Sequence, residues 1–161
     1  MDISLPDATD PNLEISYESI FQSIESLVEG ESDLIACLSN ITAVLKEYKR
    51  FWWVGFYLVK EGELVLGPFQ GPVACTRIPF HKGVCGAAYS RRQTIVVDEV
   101  DQFPGHIACS ANSKSELVVP IFHRNRTVAM VLDIDSEIPA RFKPEDVYWM
   151  ERLARLLERK L

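Results

Sequence analysis

Apolar residues at Tyr17, Ile20, Phe21, Ile24, Leu27 and Val28 recur at the spacing of one helical face. Ser16 suits the start of that helix as an N-cap, and Gly30 suits its end. A second helix is predicted to follow, with Leu34, Ile35, Leu38, Ile41 and Leu45 on its apolar face and Ser32 or Asp33 as its cap. Cys37 falls on or beside that face. It reads as core packing, because free cysteine is among the most buried residue types. Before these helices, Pro6 and Pro11 stand among polar residues, so 1–13 reads as a flexible lead-in to one domain over 14–161.

After Phe51 the period changes. Phe51 to Val59 is rich in aromatic and β-branched residues, which predicts a strand buried on both faces. Glu61-Gly62 reads as a turn into a second strand, Glu63 to Leu66. Two glycines and two prolines make 67–74 a loop, and a short strand is expected from Ala74 to Ile78. Gly83 to Arg91 suggests a short helix and Thr94 to Val97 a short strand, while 98–115 shows no period. Strands are predicted over Glu116 to Phe122 and Thr127 to Asp135, with Pro120 favouring an edge or a bulge. Val147, Met150, Leu153, Ala154 and Leu157 mark a final helix. Hairpin-linked strands between helices imply an α+β fold, a mainly antiparallel central sheet with N- and C-terminal helices packed on it.

Composition narrows the class. Hydrophobic residues make up 47% of 161, enough for a real core in a single domain. The formal charge is −6, and Lys and Arg occur only in small groups near acids, so nucleic acid is not an expected partner. The first 30 residues lack the basic start and apolar run of a secretion signal. No apolar run approaches the length of a membrane span, so no membrane contact is expected. A cytoplasmic location with thiols reduced at rest follows as the expectation.

Three of the four cysteines, Cys75, Cys85 and Cys109, fall in one window of 35 residues. Cys109 has His106 three residues before it and Lys114 five after; either could lower its pKa if the loop folds back. An inert loop cysteine is the plainer alternative. Cys85 stands near the start of the predicted short helix, where the helix dipole favours a thiolate. Zinc is the rival use of Cys75, Cys85, His106 and Cys109. Structural zinc sites normally contain a tight cysteine pair, and the smallest gap here is ten residues, so no metal is expected. Strand alternation puts Asp133 and Asp135 on one face, and antiparallel pairing through the 123–126 turn brings Glu116 near them. Such a group could hold an ammonium and donate a proton, or it could be a solvated strand end. Trp52 and Trp53 should point to opposite faces. Trp53, Gly55 and Tyr57 share one face, as core or as a small aromatic pocket in which Gly55 leaves room for a ligand.

The segments WWVGFYL (52–58), LGPFQGPVAC (66–75), IPFHKGVCGAA (78–88), HIAC (106–109), SELVVPI (115–121) and VLDIDS (131–136) together resemble the free methionine-(R)-sulfoxide reductases, enzymes built on a GAF domain. Cys37 is extra to that pattern. The resemblance implies attack by Cys109 on the sulfoxide sulfur, with Glu116 or Asp135 protonating the oxygen. It implies a sulfenic acid on Cys109 and its capture as a disulfide by Cys75 or Cys85. Which of the two resolves first stays open, as does an exchange of roles between Cys85 and Cys109. Trp53 and Tyr57 would enclose the methyl group and Asp133 would bind the ammonium. Thioredoxin would reduce the disulfide, with no cofactor needed. The other class that fits is a GAF sensor that binds a small ligand without chemistry. Such a sensor is ordinarily joined to an output domain, for which 161 residues leave no room. The amphipathic terminal helices could form a homodimer face.

Overall fold

The computed structural model describes residues 6–107 and 109–161; residues 1–5 of the expected lead-in lie outside the described residues. Helix α1 spans Tyr17–Val28 and α2 spans Leu34–Lys49. Both begin on side-chain caps, with Ser16 accepting from the Ser19 N–H and Asp33 from the Ala36 N–H. Just past the end of α1, Gly30 takes a φ of +77°, left-handed backbone that glycine adopts without Cβ strain. Ile35 departs from expectation. It is 49% exposed, because the buried stripe of α2 runs through Cys37, Leu38, Ile41, Val44 and Leu45. Residues 6–13 lie against the end of α2, where the Tyr48 hydroxyl donates to Pro6 O and Arg50 to Asp10 O.

Strands β1 (Trp53–Lys60), β2 (Glu63–Gln70) and β3 (Arg77–Pro79) precede helix α3 (Gly83–Arg91). Strand β4 (Ile95–Val97), a short 3-10 turn (Val100–Gln102), β5 (Ser115–Phe122), β6 (Val128–Ser136) and α4 (Pro144–Glu158) complete the chain. The strands form one sheet in the order β3-β2-β1-β6-β5-β4, and every adjacent pair is antiparallel. No described helix is long and apolar enough to cross a membrane.

The expected loop at 67–74 is a strand as far as Gln70. Pairings Gly55–Phe69 and Tyr57–Leu66 leave Phe56 opposite both Gly67 and Pro68, so these turn-forming residues make a bulge inside β2. Pro120 behaves as its chemistry requires. Strand β4 covers only Glu116–Val118, so Pro120 needs no N–H on that side.

Alternation divides the sheet into two faces. Val54, Phe56, Leu117, Val119, Leu132 and Ile134 pack with α1, α2 and α4 in the main core. The terminal helices therefore share one face. Helix α4 is fixed to α1 by the buried Asp146, which accepts from the Tyr17 hydroxyl and caps α4 through the Lys143 N–H. The opposite face carries Trp53, Tyr57, Val118 and Val131, packed under α3, β4 and the flanking loops. The main core gives this second face a rigid floor.

Candidate active site

Sheet register gathers three carboxylates on that second face. Trp53 pairs with Asp135, and Asp135 pairs on its other side with Glu116. Two residues along β6, Asp133 lies between Gly55 and Val118. Residues two apart share a face, so Glu116, Asp133 and Asp135 all point the same way. Glu116 is 6% and Asp133 5% exposed, which removes the solvated strand end as a description of this group. Helix α3 lowers Cys85 onto them, with Sγ 3.9 Å from Glu116 Oε1. One ligand atom each from Cys85, Glu116 and Asp133 lies within 4.8 Å of the others. The Ser113 hydroxyl donates to Asp135 Oδ1 at 2.7 Å, whereas the buried Asp133 Oδ1 has no hydrogen-bond partner.

Burial pushes all three carboxyls above the usual range. Glu116 rises well above it, helped by the charges of Asp133 and Asp135, and Asp135 rises well above it beside Asp133. Asp133 is raised to about 6; burial lifts it, and hydrogen bonds from Glu116 and Cys85 hold it back. Asp133 is thus the member that ionises first, and Glu116 and Asp135 are held further towards the protonated form. Cys85 does not carry the thiolate expected at a helix start. Burial and then Asp133 and Glu116 push its thiol well up, and these outweigh the dipole of a short helix.

The aromatics form one wall. Trp53 stacks between Tyr57 and Phe69, with ring centroids 6.1 and 5.4 Å away. Trp52 lines the same cavity as Trp53 and not the opposite face; it precedes β1, so the strand's alternation does not govern it. The space over Gly55 is not left for a ligand. A Cβ there would lie 2.5 Å from Phe69 Cβ and 2.6 Å from Cη2 of Trp53, so Trp53 itself fills the gap. Lys46 of α2 donates to the carbonyls of Phe51 and Trp52 at 2.9 and 2.7 Å and fixes the chain where both tryptophans begin. Ser113, Lys46 and the placement of Trp52 were missed from sequence. Ser113 lies in a stretch with no period, and nothing in a helix predicts which carbonyls a lysine will reach.

Cys75 and Cys109 form a disulfide with Cα atoms 5.4 Å apart, while Cys37 and Cys85 are free and buried. This bond occupies two of the four ligands of the rejected zinc shell. Cys109 is exposed at the cavity mouth. The segment bearing Cys75 is held to the aromatic wall: Trp53 Nε1 donates to Pro72 O at 3.0 Å and the Tyr57 hydroxyl to Cys75 O at 2.8 Å. His106 also lines the cavity, but burial holds its imidazole below the usual pKa, and its Nδ1 has no partner. Lys114 is exposed and reaches only Ala111 O. Neither brings the positive charge to Cys109 that their spacing suggested.

The cavity, partly open at its mouth, is about 50 Å³, room for a few waters. Acids and Cys85 form its floor, aromatics one wall, and Cys109 its rim. Its lining sets a carboxyl floor and an apolar aromatic wall beside the disulfide sulfur of Cys109.

The GAF domain model matches residues 33–161. GAF domain-containing protein A of Dictyostelium discoideum is 49% identical over 146 residues, covering 90% of this chain and 92% of that protein. The free methionine-R-sulfoxide reductase of Escherichia coli is 43% identical over 148 residues, covering 90% and 88%. Among solved structures, the free methionine-R-sulfoxide reductase of Neisseria meningitidis in complex with its substrate superposes with a TM-score of 0.87 at 51% identity, covering 89% of this chain and 87% of that one. The chain belongs to the GAF domain family and, within it, to the free methionine-(R)-sulfoxide reductases.

Proposed function

We propose that this protein reduces free methionine-(R)-sulfoxide to methionine with its own thiols. The observation that carries the reading is the Cys75–Cys109 disulfide at the rim of a cavity floored by acids and walled by aromatics. Substrate enters with its ammonium on Asp133 and its methyl group against Trp53 and Tyr57. The sulfoxide oxygen points to Glu116, whose carboxyl is pushed towards the protonated form by burial and the neighbouring acids. Proton donation makes the sulfoxide sulfur electrophilic. That matters here because no lysine or arginine among the described residues lines the cavity to activate a thiol.

Cys109 attacks the sulfoxide sulfur. Oxygen passes from substrate to the Cys109 sulfur, which is oxidised by two electrons to a sulfenic acid as the sulfoxide is reduced to methionine. The Cys75 thiolate then displaces hydroxide from the sulfenic sulfur, the hydroxide takes a proton to leave as water, and the disulfide forms. A dithiol protein of the thioredoxin type returns two electrons and two protons. Cys85 is the poorer attacker, since burial and two adjacent acids keep it protonated. Asp135, held by Ser113, is the alternative proton donor to Glu116. A reducing cytoplasm suits this cycle.

The test is NADPH oxidation coupled through thioredoxin reductase and thioredoxin, with each methionine sulfoxide epimer supplied free or inside a peptide. Turnover of the free R epimer alone is expected. Equal turnover of the S epimer, or efficient use of an internal sulfoxide, contradicts the proposal.

A further inference from the structure

The floor of the cavity brings together more carboxyl groups than a proton donor and an ammonium anchor require. Glu116 and Asp133 are almost fully buried, and the lining contains no lysine or arginine among the described residues. Buried carboxylates are stable when paired with a cation or a metal ion, and Asp133 Oδ1 has no hydrogen-bond partner at all. Beside it stands the free thiol of Cys85.

We propose that Cys85, Glu116 and Asp133 form a binding site for a thiophilic divalent cation, such as Zn²⁺ or Co²⁺. The geometry is close to what such an ion needs. Metal–sulfur and metal–oxygen bonds at tetrahedral angles put sulfur and oxygen about 3.6 Å apart. Cys85 Sγ and Glu116 Oε1 are 3.9 Å apart, and the full trio lies within 4.8 Å. The donors come from α3, β5 and β6, regular elements of one sheet face, and a contraction of at most about 1.2–1.4 Å is all that is asked. The fourth position opens to the cavity, where a water completes the shell. One sulfur with two carboxylate oxygens selects a borderline-soft ion over Mg²⁺ or Ca²⁺. On binding, the metal–sulfur and metal–oxygen bonds form, the Cys85 S–H proton and the Glu116 carboxyl proton leave to solvent, and no electron is transferred. Cys85 takes no part in the Cys75–Cys109 bond, so the site is present in the oxidised protein. The consequence for turnover rests on the reductase reading: the ion takes the place of the substrate ammonium, and the two exclude each other.

The probe is Co²⁺ added to the full chain carrying Cys37→Ser, with the Cys75–Cys109 disulfide formed. Cys85 is then the single free thiol of the four cysteines. One Co²⁺ per chain with a near-ultraviolet thiolate-to-cobalt charge-transfer band is expected, and Zn²⁺ should displace it. Adding Cys85→Ser should remove the band. Asp133→Asn should weaken Co²⁺ binding about tenfold or more, and Glu116→Gln supplies the same comparison should the first variant not fold. Absence of the band in the Cys37→Ser protein overturns the proposal, as does a band undiminished by the carboxylate changes. The band without sulfoxide turnover leaves the cation site standing and removes the reductase reading; turnover without the band does the reverse.

Discussion

Asp133→Asn should make the protein more stable and less active, and the stability gain should depend on pH. The folded Asp133 carboxyl ionises at about 6 against an ordinary value of 3.8. As pH rises between those values the unfolded chain releases its proton first, so the native state loses stability. Linkage puts the loss at about 1 kcal/mol at about pH 4.5 and about 3 kcal/mol at about pH 7.5. Asparagine cannot ionise and escapes it. Whatever the amide costs in lost hydrogen bonds applies at both pH values, and loss of the Asp133 charge also lowers Glu116 and Asp135 towards their ordinary range, a change of the same sign. The variant should therefore gain at least about 2 kcal/mol more, relative to the parent, at about pH 7.5 than at about pH 4.5. Urea unfolding at the two pH values, with the disulfide formed in both proteins, measures this. The KM for the free sulfoxide should rise about tenfold or more, because a charge-assisted contact to the ammonium is lost. A gain that is the same at both pH values, or a variant less stable at neutral pH than at acid pH relative to the parent, refutes the assignment of Asp133 as a buried carboxylate ionised at a cost.

Lys46→Met should remove two charge-assisted bonds to the carbonyls of Phe51 and Trp52, cost about 2 kcal/mol by urea unfolding and raise KM more than it lowers kcat. Gly55→Ala should cost about 1–3 kcal/mol and displace Trp53, read as loss of substrate binding and a shifted tryptophan fluorescence, since a Cβ meets Phe69 at 2.5 Å. Cys109→Ser should abolish sulfoxide consumption, whereas Cys37→Ser, buried in the main core across the sheet, should keep near-parental rates in the coupled assay.

The helices were legible because they obey local rules. Ser16, Asp33 and the apolar stripes act over a few residues, and α1 and α2 begin where those caps predict. The meeting of Glu116 with Asp135 was legible for a similar reason, since a short turn fixes the register of the hairpin that joins them. Where the reading failed, the deciding interaction came from distant sequence. Pro68 looked like a loop residue, but a bulge against Phe56 accommodates it within β2. Gly55 looked like room for a ligand, but Phe69 and the Trp53 ring close over it. Cys85 looked like a thiolate from its helix position, because the acids that suppress ionisation lie more than thirty residues away in the chain. Choosing Cys75 over Cys85 as the partner of Cys109 likewise needed three-dimensional placement: one is on the loop before β3, within reach of Cys109, and the other is buried on α3 beside the acids.

The most direct measurement is a single turnover. Fully reduced protein is mixed with one equivalent of free methionine-(R)-sulfoxide, without any external reductant, then alkylated and mapped by peptide mass spectrometry. The account predicts one methionine formed per chain, a Cys75–Cys109 disulfide, and Cys37 and Cys85 recovered as alkylated thiols. Methionine formed while Cys109 remains alkylatable, or no methionine at all, contradicts it.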